Sequence, residues 1–297
     1  MRNFIRRILP KRFLTLYRNG VRKKKRKQLV SQMSQGLALS KEKLINDFLR
    51  MGLKEGDVLM VHSSLSSIGY VDGGASTVVE ALIDVLGSDG HLLMPSAPNA
   101  SYQLDYIREN VLFDVLQTPS ALGAITECFR KWPGAIRSAH PTEPVCCFGP
   151  NAHWFVESHF GQLTPYSEES PFRKVIESKG KVLYVGVTLS NAGTHLHTLE
   201  DAVENFKFPV YYPQEFEVSV VFPDGSTKKM LTKVHDPAQS RERRCDELIS
   251  IFEKEGALQR VKVGDASCLL VDASLMFATM IKQYNENGVT MYTPEGS

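Results

Sequence analysis

Short apolar runs alternate with amphipathic segments from Ser40 onward, and this alternation restricts the fold more than any other feature of the chain. The runs with the length and composition of buried strands are DVLMVHSS at 57–64, HLLMPS at 91–96 and KVLYVGV at 181–187. Helical patterns lie beside them; in SKEKLINDFLRMG, Ser40 is the predicted N-cap and Gly52 ends the helix. This order predicts a mixed or parallel sheet covered by helices, and therefore an α/β fold.

Later segments add four further predictions. TPSALGAITECFRKW predicts a helix with Thr118 as its cap, and GTHLHTLEDAVENF predicts another helix. Residues 216–222 and 228–234 predict a β-hairpin that turns at Asp224. The polar and aromatic stretch 97–117 predicts a long loop, and a loop of that length is expected to bind something.

Charge separates the chain into two parts. Twelve of the 35 basic residues lie within the first 27 positions, and the first acidic residue is Glu42. We therefore predict a basic amphipathic arm, helical or disordered, over residues 1–39 and one globular domain over 40–297. The arm is too interrupted by charge to span a bilayer and has no signal-peptide cleavage site. Its basic and apolar side chains over residues 1–27 fit an anionic membrane surface, with a solvated tail as the alternative.

Composition narrows the partners and the compartment. Beyond the arm, acidic residues outnumber basic ones, so no basic track continues that would favour nucleic acid. The five cysteines lack CxxC spacing and include the adjacent pair Cys146 and Cys147, which favours a reducing environment. We therefore expect a cytoplasmic protein, held at the inner membrane face if the arm docks there.

The segment GTHLHTLED at 193–201 carries the clearest chemistry. On a strand, His195 and His197 would point to one side and could hold zinc with a third ligand, as in a zinc-dependent hydrolase. The apolar spacing that follows predicts a helix instead, in which positions two apart diverge by about 200°. His197 and Glu200 are three apart and share a helix face, which makes them a candidate general base and its orienting carboxylate.

Four stretches of the chain closely resemble the aminoglycoside 3-N-acetyltransferase family. They are LMVHSSLSSIGYVDGGASTVVEALIDVLGSDGHLLMPS (59–96), FDVLQTPSALGAITECFRKWPGAIRSAHPTEPVCCFGP (113–150), ESPFRKVIESKGKVLYVGV (169–187) and SNAGTHLHTLEDAV (190–203). The resemblance implies a single α/β/α layered domain and an N-acyltransferase that uses acetyl-CoA or another acyl-CoA, with no metal. It further implies direct transfer, with His197 as the catalytic base and Glu200 as its acidic partner.

The same resemblance implies coenzyme-binding and supporting residues. The implied coenzyme-binding residues are Ser63, Ser64, Leu65, Thr118, Ser120, Ser170 and Phe172. His62 and His140 are expected to support catalysis, with a hydrogen-bonded structural histidine as the alternative for each.

The chain departs from the antibiotic-modifying members on the acceptor side. Pro144 stands where family members commonly have serine. The stretch 97–117, apart from Phe113 and Asp114, and the stretch 235–248 differ from theirs. The expected acceptor-binding residues are Asp114, Arg241 and Arg244. Arginines suit a phosphorylated or carboxylated acceptor. We therefore expect a nucleotide- or lipid-linked amino sugar, a precursor of bacterial surface polysaccharide, as the acceptor, with a true aminoglycoside as the alternative.

Overall fold

The computed structural model describes residues 11–99 and 101–296, so the first ten positions of the predicted arm lie outside the described residues. The helices are α1 Lys11–Ser34, α2 Lys41–Arg50, α3 Leu65–Ile68, α4 Ala75–Leu86, α5 Gln103–Glu109, α6 Ala124–Arg130, α7 Ala152–Val156, α8 Pro171–Glu177, α9 Leu189–Ala192, α10 Thr198–Ala202, α11 Pro237–Glu242, α12 Ile249–Lys254 and α13 Ala273–Asn287. The strands are β1 Val58–Ser63, β2 His91–Pro95, β3 Leu112–Asp114, β4 Ile136–Arg137, β5 Val145–Phe148, β6 Lys181–Val185, β7 Phe216–Val221, β8 Thr227–Thr232, β9 Leu258–Val263 and β10 Ala266–Asp272. Short 3-10 turns cover Glu157–His159, Thr194–His197 and Cys245–Leu248.

A seven-stranded sheet forms the centre of the molecule, in the order β4-β5-β2-β1-β6-β10-β9. Its middle is parallel, because β1 pairs in parallel with both β2 and β6. Met60 of β1 lies opposite Leu93 on one side and Val182 on the other. The outer strands are antiparallel to their neighbours. The predicted mixed sheet is confirmed, and the carboxyl ends of β2, β1 and β6 lie together at one edge, where open α/β sheets bind ligands.

Both faces of this sheet are covered, because its central strands alternate between two apolar clusters. Leu59 and Val61 pack into one cluster with helices α2, α4 and α6. Met60 packs into the other cluster with α8 and α13. Successive side chains of a strand point to opposite faces, so a strand that is apolar throughout is buried on both sides. The result is the α/β/α layering that the resemblance implied.

Strands β3, β7 and β8 form a second, three-stranded sheet with its own apolar cluster around Phe113 and Val218. The hairpin of β7 and β8 is confirmed, and it turns where Asp224 Oδ1 accepts a hydrogen bond from Ser226 N. The prediction of one long loop over 97–117 is wrong, since its described residues include α5 and β3, which bury apolar side chains in this cluster.

The predicted Thr118 cap is also wrong, because α6 begins only at Ala124. The Thr118 hydroxyl accepts a hydrogen bond from the backbone N of Asp114 at 2.9 Å. Ser120 N donates to a carboxylate oxygen of Glu127 at 2.8 Å. These contacts hold the segment before α6 as a turn.

The predicted helix over 193–206 is divided in the structure. A 3-10 turn covers Thr194–His197, and the five-residue α10 follows it. Val203 then takes an extended conformation and ends the helix. The apolar spacing correctly indicated helical geometry but overestimated its length.

The first two helices of the described chain, α1 and α2, make different contacts. The Ser40 cap of α2 is confirmed, since its hydroxyl accepts a hydrogen bond from Lys43 N at 3.3 Å. Helix α1 lies against the domain, where Gln32 donates to Asp265 at 2.7 Å and accepts from Tyr70 N at 3.1 Å. No helix in the part of the chain that the structure describes combines the length and apolar character needed to cross a membrane.

All five cysteines lie among the described residues and are free thiols. Cys146 and Cys147 are neighbours in β5, so their side chains point to opposite faces of the sheet. Cys146 accordingly packs in one apolar cluster and Cys147 in the other.

Candidate active site

His197 and Glu200 lie side by side beyond the carboxyl end of β6. His197 ends the 3-10 turn and Glu200 lies in the first turn of α10, so a single helical turn separates them. The Nδ1 atom of His197 is 2.9 Å from Oε2 of Glu200. Both side chains are buried, His197 being 7% exposed and Glu200 4%. The contact expected from their spacing is therefore present.

Two residues from distant parts of the chain complete the surroundings of Glu200. His235, which follows β8, has its Nε2 atom 2.9 Å from Glu200 Oε2. The hydroxyl of Tyr292, beyond α13, donates to Glu200 Oε1 at 2.7 Å. Glu200 accepts three hydrogen bonds in this way, and both of its oxygens are used.

These hydrogen bonds determine which nitrogen of His197 carries the hydrogen. An ionised carboxylate only accepts hydrogen bonds, so Nδ1 of His197 is the donor and the lone pair lies on Nε2. The contact with Glu200 uses Nδ1, so it leaves Nε2 of His197 free of that hydrogen bond. This is the arrangement of a neutral imidazole that can accept a proton.

Burial and neighbouring charges keep the site in that state. Burial alone would raise the pKa of Glu200, but its electrostatic interactions and hydrogen bonds with His197 and His235 outweigh burial and hold that pKa well below its usual value. Burial lowers the pKa of His197; Glu200 opposes this, and Arg243 adds to the lowering. Burial also lowers the pKa of His235 to about 3. At neutral pH the site thus contains a carboxylate between two neutral imidazoles.

Aromatic rings hold the two imidazoles in place. The ring centroid of Tyr166, which is 2% exposed, lies 4.8 Å from that of His197 and 5.5 Å from that of His235. Tyr211 stacks on His235 with 4.9 Å between centroids and an interplanar angle of 6°. The Tyr211 hydroxyl in turn donates to Asp201 at 2.6 Å. The imidazoles are therefore fixed on their faces as well as by their nitrogens.

Arg243 and Glu143 extend the polar network. Arg243 Nε donates to the Tyr292 hydroxyl at 3.3 Å, and its buried Nη2 has no hydrogen-bond partner among the described residues. Glu143 accepts a hydrogen bond from Gln103 at 2.7 Å, and burial raises its pKa to about 7. Gln103 also accepts a hydrogen bond from His235 N at 3.0 Å. The network thus joins the main domain, the hairpin and the last turn of the chain.

The structure separates the two histidines of the HxH pair. His195 is fully buried and lies edge-on to Phe172, with 5.5 Å between ring centroids. A different trio, His197, Glu200 and His235, has ligand-type atoms within 4.8 Å of one another. His197 Nδ1 and His235 Nε2 each donate a hydrogen bond to Glu200. These two nitrogens therefore direct N–H groups, rather than lone pairs, into the space among the three side chains.

The structure gives His62 and His140 different surroundings. His62 stacks on Tyr184 at 5.0 Å, and its Nε2 lies 3.2 Å from the hydroxyl of Thr194. Thr194 begins the turn that carries the candidate base, so His62 adjoins the site. His140 is fully buried and stacks on His159 at 4.7 Å. Its contacts are those of a structural histidine.

Five of the implied coenzyme residues lie at the carboxyl edge of the main sheet: Ser63, Ser64, Leu65, Thr118 and Ser120. Ser64 N donates to Val185 O, which ties the end of β1 to the end of β6. Ala121 N donates to Ala97 O, which ties the 118–121 segment to the end of β2. The structure therefore brings these segments to the edge where a ligand is expected.

Ser170 and Phe172 lie beneath the surface of the site. Both are fully buried. Ser170 caps α8 by accepting a hydrogen bond from Arg173 N at 3.3 Å, and the Phe172 ring lies 5.1 Å from that of Tyr166. Ser170 and Phe172 therefore support the part of the site that contains Tyr166.

The expected acceptor residues make contacts within the protein. Asp114 Oδ1 accepts two backbone hydrogen bonds in the turn that follows β3. Arg241 is exposed and donates to Pro237 O at 3.1 Å. Arg244 pairs with two glutamates. Arg243, which lies between the two expected arginines, is the one that reaches the catalytic cluster.

Sequence reasoning missed His235 and Tyr292. His235 carried a usable signal, because it directly follows the predicted strand 228–234. Tyr292 had no local pattern that distinguished it from a surface residue. Their roles depend on contacts with Glu200 and its neighbours that only the folded chain creates.

Comparisons with known proteins identify the relatives of this chain. The model of the family described as aminoglycoside 3-N-acetyltransferase matches residues 60–285. Aminoglycoside N(3)-acetyltransferase IV of Salmonella sp is 30% identical over 260 residues, covering 86% of this chain and 92% of that protein. Aminoglycoside N(3)-acetyltransferase IX of Micromonospora chalcea is 32% identical over 178 residues, and the match covers 56% of this chain and 63% of that protein. The solved structure of AAC-IIIb in its binary form with CoASH has a TM-score of 0.70 and 25% identity, covering 84% of this chain and 97% of that one.

The layered fold, the buried imidazole and carboxylate and these similarities define an acyltransferase that uses acetyl-CoA as its co-substrate. The chain belongs to the aminoglycoside 3-N-acetyltransferase family. The resemblance noted from its four sequence stretches is confirmed, together with the fold that the resemblance implied.

Proposed function

We propose that the chain transfers the acetyl group of acetyl-CoA to an amino group of an aminoglycoside, with His197 as the general base. The observation that carries this proposal is the hydrogen bond of 2.9 Å between His197 Nδ1 and Glu200. It leaves the Nε2 lone pair of a neutral imidazole as the proton acceptor. An amine with a pKa of about 8 to 10 is mostly protonated at neutral pH, so a base of this kind is required.

These residues account for every bond and proton in a direct transfer of the acetyl group. His197 Nε2 first takes a proton from the acceptor ammonium, and the free amine then attacks the thioester carbonyl, so that a C–N bond forms. The C–S bond breaks, and the leaving thiolate of coenzyme A takes up the second proton that the nitrogen releases. Glu200 stabilises the positive charge that appears on His197, because its carboxylate lies against Nδ1.

The coenzyme is proposed to lie at the carboxyl edge of the main sheet. Ser63, Ser64 and Leu65 would contact it at the end of β1, and Thr118 and Ser120 at the end of β2. Backbone N–H groups and hydroxyls at such an edge suit phosphates and amides. Ser170 and Phe172 would support the coenzyme site from inside the protein, because both are fully buried.

Two observations support an aminoglycoside as the acceptor: the names of the relatives and the charge of the site. The relatives compared above are named as aminoglycoside N(3)-acetyltransferases. The Glu200 carboxylate stays ionised because its contacts with His197 and His235 hold its pKa well below the usual value, and a negative charge in the cluster suits a polycationic acceptor. Arg244 is already paired with glutamates, which reduces the positive charge that first suggested an anionic acceptor.

A nucleotide- or lipid-linked amino sugar of surface-polysaccharide synthesis is the second candidate acceptor. The buried Nη2 of Arg243, without a partner among the described residues, is the observation in its favour. Thiol release from acetyl-CoA, followed with dithionitrobenzoate, distinguishes the two. Turnover of gentamicin or kanamycin with none of UDP- or dTDP-amino sugars supports the first acceptor class, and the reverse pattern supports the second.

We further propose that residues 1–39 form an arm that docks the acyltransferase domain of 40–297 on an anionic membrane. Lys23, Lys27, Val30 and Met33 follow one another at spacings of three or four, so they share one face of α1. Val30 is 60% exposed and Met33 59%. Cations beside exposed apolar side chains suit an anionic lipid surface.

Vesicle sedimentation tests this role of the arm. We expect the protein to sediment with phosphatidylserine-containing vesicles but not with neutral phosphatidylcholine vesicles. The double substitution Lys23→Glu and Lys27→Glu should abolish sedimentation, whereas Lys54→Glu, on the exposed surface of the domain, should not. Equal sedimentation of all variants would refute the role.

A further inference from the structure

Helix α1 forms one wall of a groove at the carboxyl edge of the main sheet. The groove has a volume of about 360 Å³. It is lined by Lys25, Gln28 and Leu29 of α1, by Ser66, Ser67 and Gly69 after β1, by Gly186, Val187 and Thr188 after β6, and by Asp265, Ala266 and Ser267 at the start of β10. That volume falls within the range of about 300 to 1,000 Å³ typical of small-molecule sites.

We propose that this groove binds the phosphate-bearing end of acetyl-CoA and that Lys25 is a phosphate ligand within it. The residue lies in α1, outside residues 60–285 that match the family model. The inference rests on the acetyl transfer proposed above, because it assigns the groove to the co-substrate of that reaction. It adds a binding residue supplied by the arm.

Lys25 is already joined to the turn that follows β1. Its Nζ atom donates to the Ser67 hydroxyl at 2.8 Å. The Ser67 hydroxyl lies 3.0 Å from that of Ser64, and the Ser64 hydroxyl lies 3.5 Å from that of Ser66. An ammonium group and three hydroxyls therefore lie together, and these are the donors that a phosphate accepts.

The position of Lys25 is fixed by the contacts of α1 further along the helix. Gln32, seven residues later, bridges the Asp265 carboxylate at 2.7 Å and the backbone N of Tyr70 at 3.1 Å. Positions seven apart lie on the same face of a helix. The bridge therefore holds the Lys25 face of α1 against the domain.

Charge within the groove places the phosphate near Lys25. Among its lining residues, Lys25 carries a positive charge and Asp265 a negative one. The Asp265 carboxylate lies at the Gly69 side, where its Oδ2 would be 3.2 Å from a Cβ built on that glycine. A phosphate would be repelled there and attracted at the Lys25 and Ser67 side.

The same charges distinguish the coenzyme from the acceptor. Acetyl-CoA carries several phosphate charges on its nucleotide end, whereas the proposed acceptor is a polycation that a lysine would repel. Gly186 and Thr188 line the groove and lie in the segment that leads from β6 to His197. The groove therefore adjoins the segment that carries the base.

Substrate comparison tests the proposal with the full chain. Lys25→Gln should raise KM for acetyl-CoA about tenfold, the effect of losing one charge-assisted hydrogen bond, with kcat nearly unchanged. KM for S-acetylpantetheine, which lacks the phosphates, should stay the same. The matched control Lys24→Gln, at an exposed position of the same helix, should behave as the wild type with both substrates. Equal KM values for wild type and Lys25→Gln, or an equal rise with both substrates, would overturn the proposal.

Calorimetric titration with coenzyme A separates this inference from the proposed function. Weaker coenzyme A binding by Lys25→Gln, beside normal binding by Lys24→Gln, supports Lys25 even if no acceptor is turned over. Equal binding by both variants contradicts the role of Lys25 even if acetyl transfer is robust. Circular dichroism of each variant checks that α1 remains helical.

Discussion

The hydroxyl of Tyr292 lies 2.7 Å from Oε1 of Glu200, although 92 positions separate the two residues in the chain. Tyr292 also lies beyond residues 60–285 that match the family model. Its hydroxyl accepts a hydrogen bond from Arg243 and donates one to Glu200. Tyr292 therefore links the guanidinium to the carboxylate and restricts the position of both. Glu200 in turn orients the candidate base.

Replacing Tyr292 by phenylalanine tests this connection. The variant leaves a buried carboxylate oxygen and a guanidinium N–H without their partner, so we expect kcat to fall about tenfold and the free energy of unfolding to fall by about 1 to 3 kcal/mol. Tyr102→Phe, at an exposed position, is the control. Steady-state kinetics and urea unfolding measure both effects. Unchanged kcat in Tyr292→Phe would show that the contact is not needed for catalysis.

Replacing His197 by alanine should lower kcat by about 10²- to 10⁴-fold, the usual contribution of a general base. Coenzyme A binding, measured by calorimetry, should change little. Glu200→Gln should reduce activity less, because the imidazole remains. His153 pairs with Glu157 at 2.7 Å on the surface, so His153→Ala is a matched control that removes a histidine–glutamate pair without affecting the rate. A His197→Ala variant with wild-type kcat would refute the proposed mechanism.

Arg243→Gln should move the acid limb of the kcat/KM profile to higher pH. Burial is the main cause that lowers the pKa of His197, and the positive charge of Arg243 lowers it further. Without that charge the pKa of His197 rises, so the base becomes protonated at a higher pH as the solution is acidified. Arg241→Gln removes an exposed arginine two residues earlier and should leave the limb in place. A shift of the limb to lower pH in Arg243→Gln would contradict the assignment.

Stability should decrease as the pH falls below about 6.5, the ordinary pKa of imidazole. Burial lowers the pKa of His62, His159, His195 and His235 to about 3, so the unfolded chain binds protons that the folded chain excludes between pH 6.5 and 3. Glu143 and Asp201 act in the opposite direction, because burial raises their pKa values to about 7 and about 6. The histidines are more numerous and more strongly shifted, so their effect dominates. Thermal melts from pH 8 to 4 should show a falling Tm; a Tm that rises on acidification would contradict this.

Removal of metal ions should leave activity unchanged. The nitrogens of His197 and His235 donate hydrogen bonds to the same oxygen of Glu200, so neither directs a lone pair at a shared ion. Protein dialysed against EDTA should retain its rate in metal-free buffer. Stoichiometric zinc by elemental analysis, with activity lost on its removal and restored on its return, would favour a metal-dependent hydrolase instead.

The sequence was sufficient to predict the contacts that local geometry decides. The Ser40 cap, the short apolar strands and the hairpin of β7 and β8 depend on neighbours within a few residues or one turn. The pairing of His197 with Glu200 also depends on local geometry, since three positions of helical backbone bring the side chains together. Local patterns failed at Thr118, where the hydroxyl accepts a hydrogen bond from Asp114 N instead of capping a helix, and over 97–117, where a second apolar cluster redirects the backbone.

Tertiary structure alone decided what surrounds that pair. His235 reaches Glu200 because the second sheet ends beside α10, and Tyr292 reaches it because the chain turns back after α13. Lys25 reaches the turn after β1 because α1 lies along the carboxyl edge of the main sheet. No local spacing encodes these contacts, because they depend on the order of the strands and the packing of whole layers. The sequence by itself therefore determined the layered α/β fold and the candidate base, and the folded chain determined the charge, tautomer and neighbours of that base.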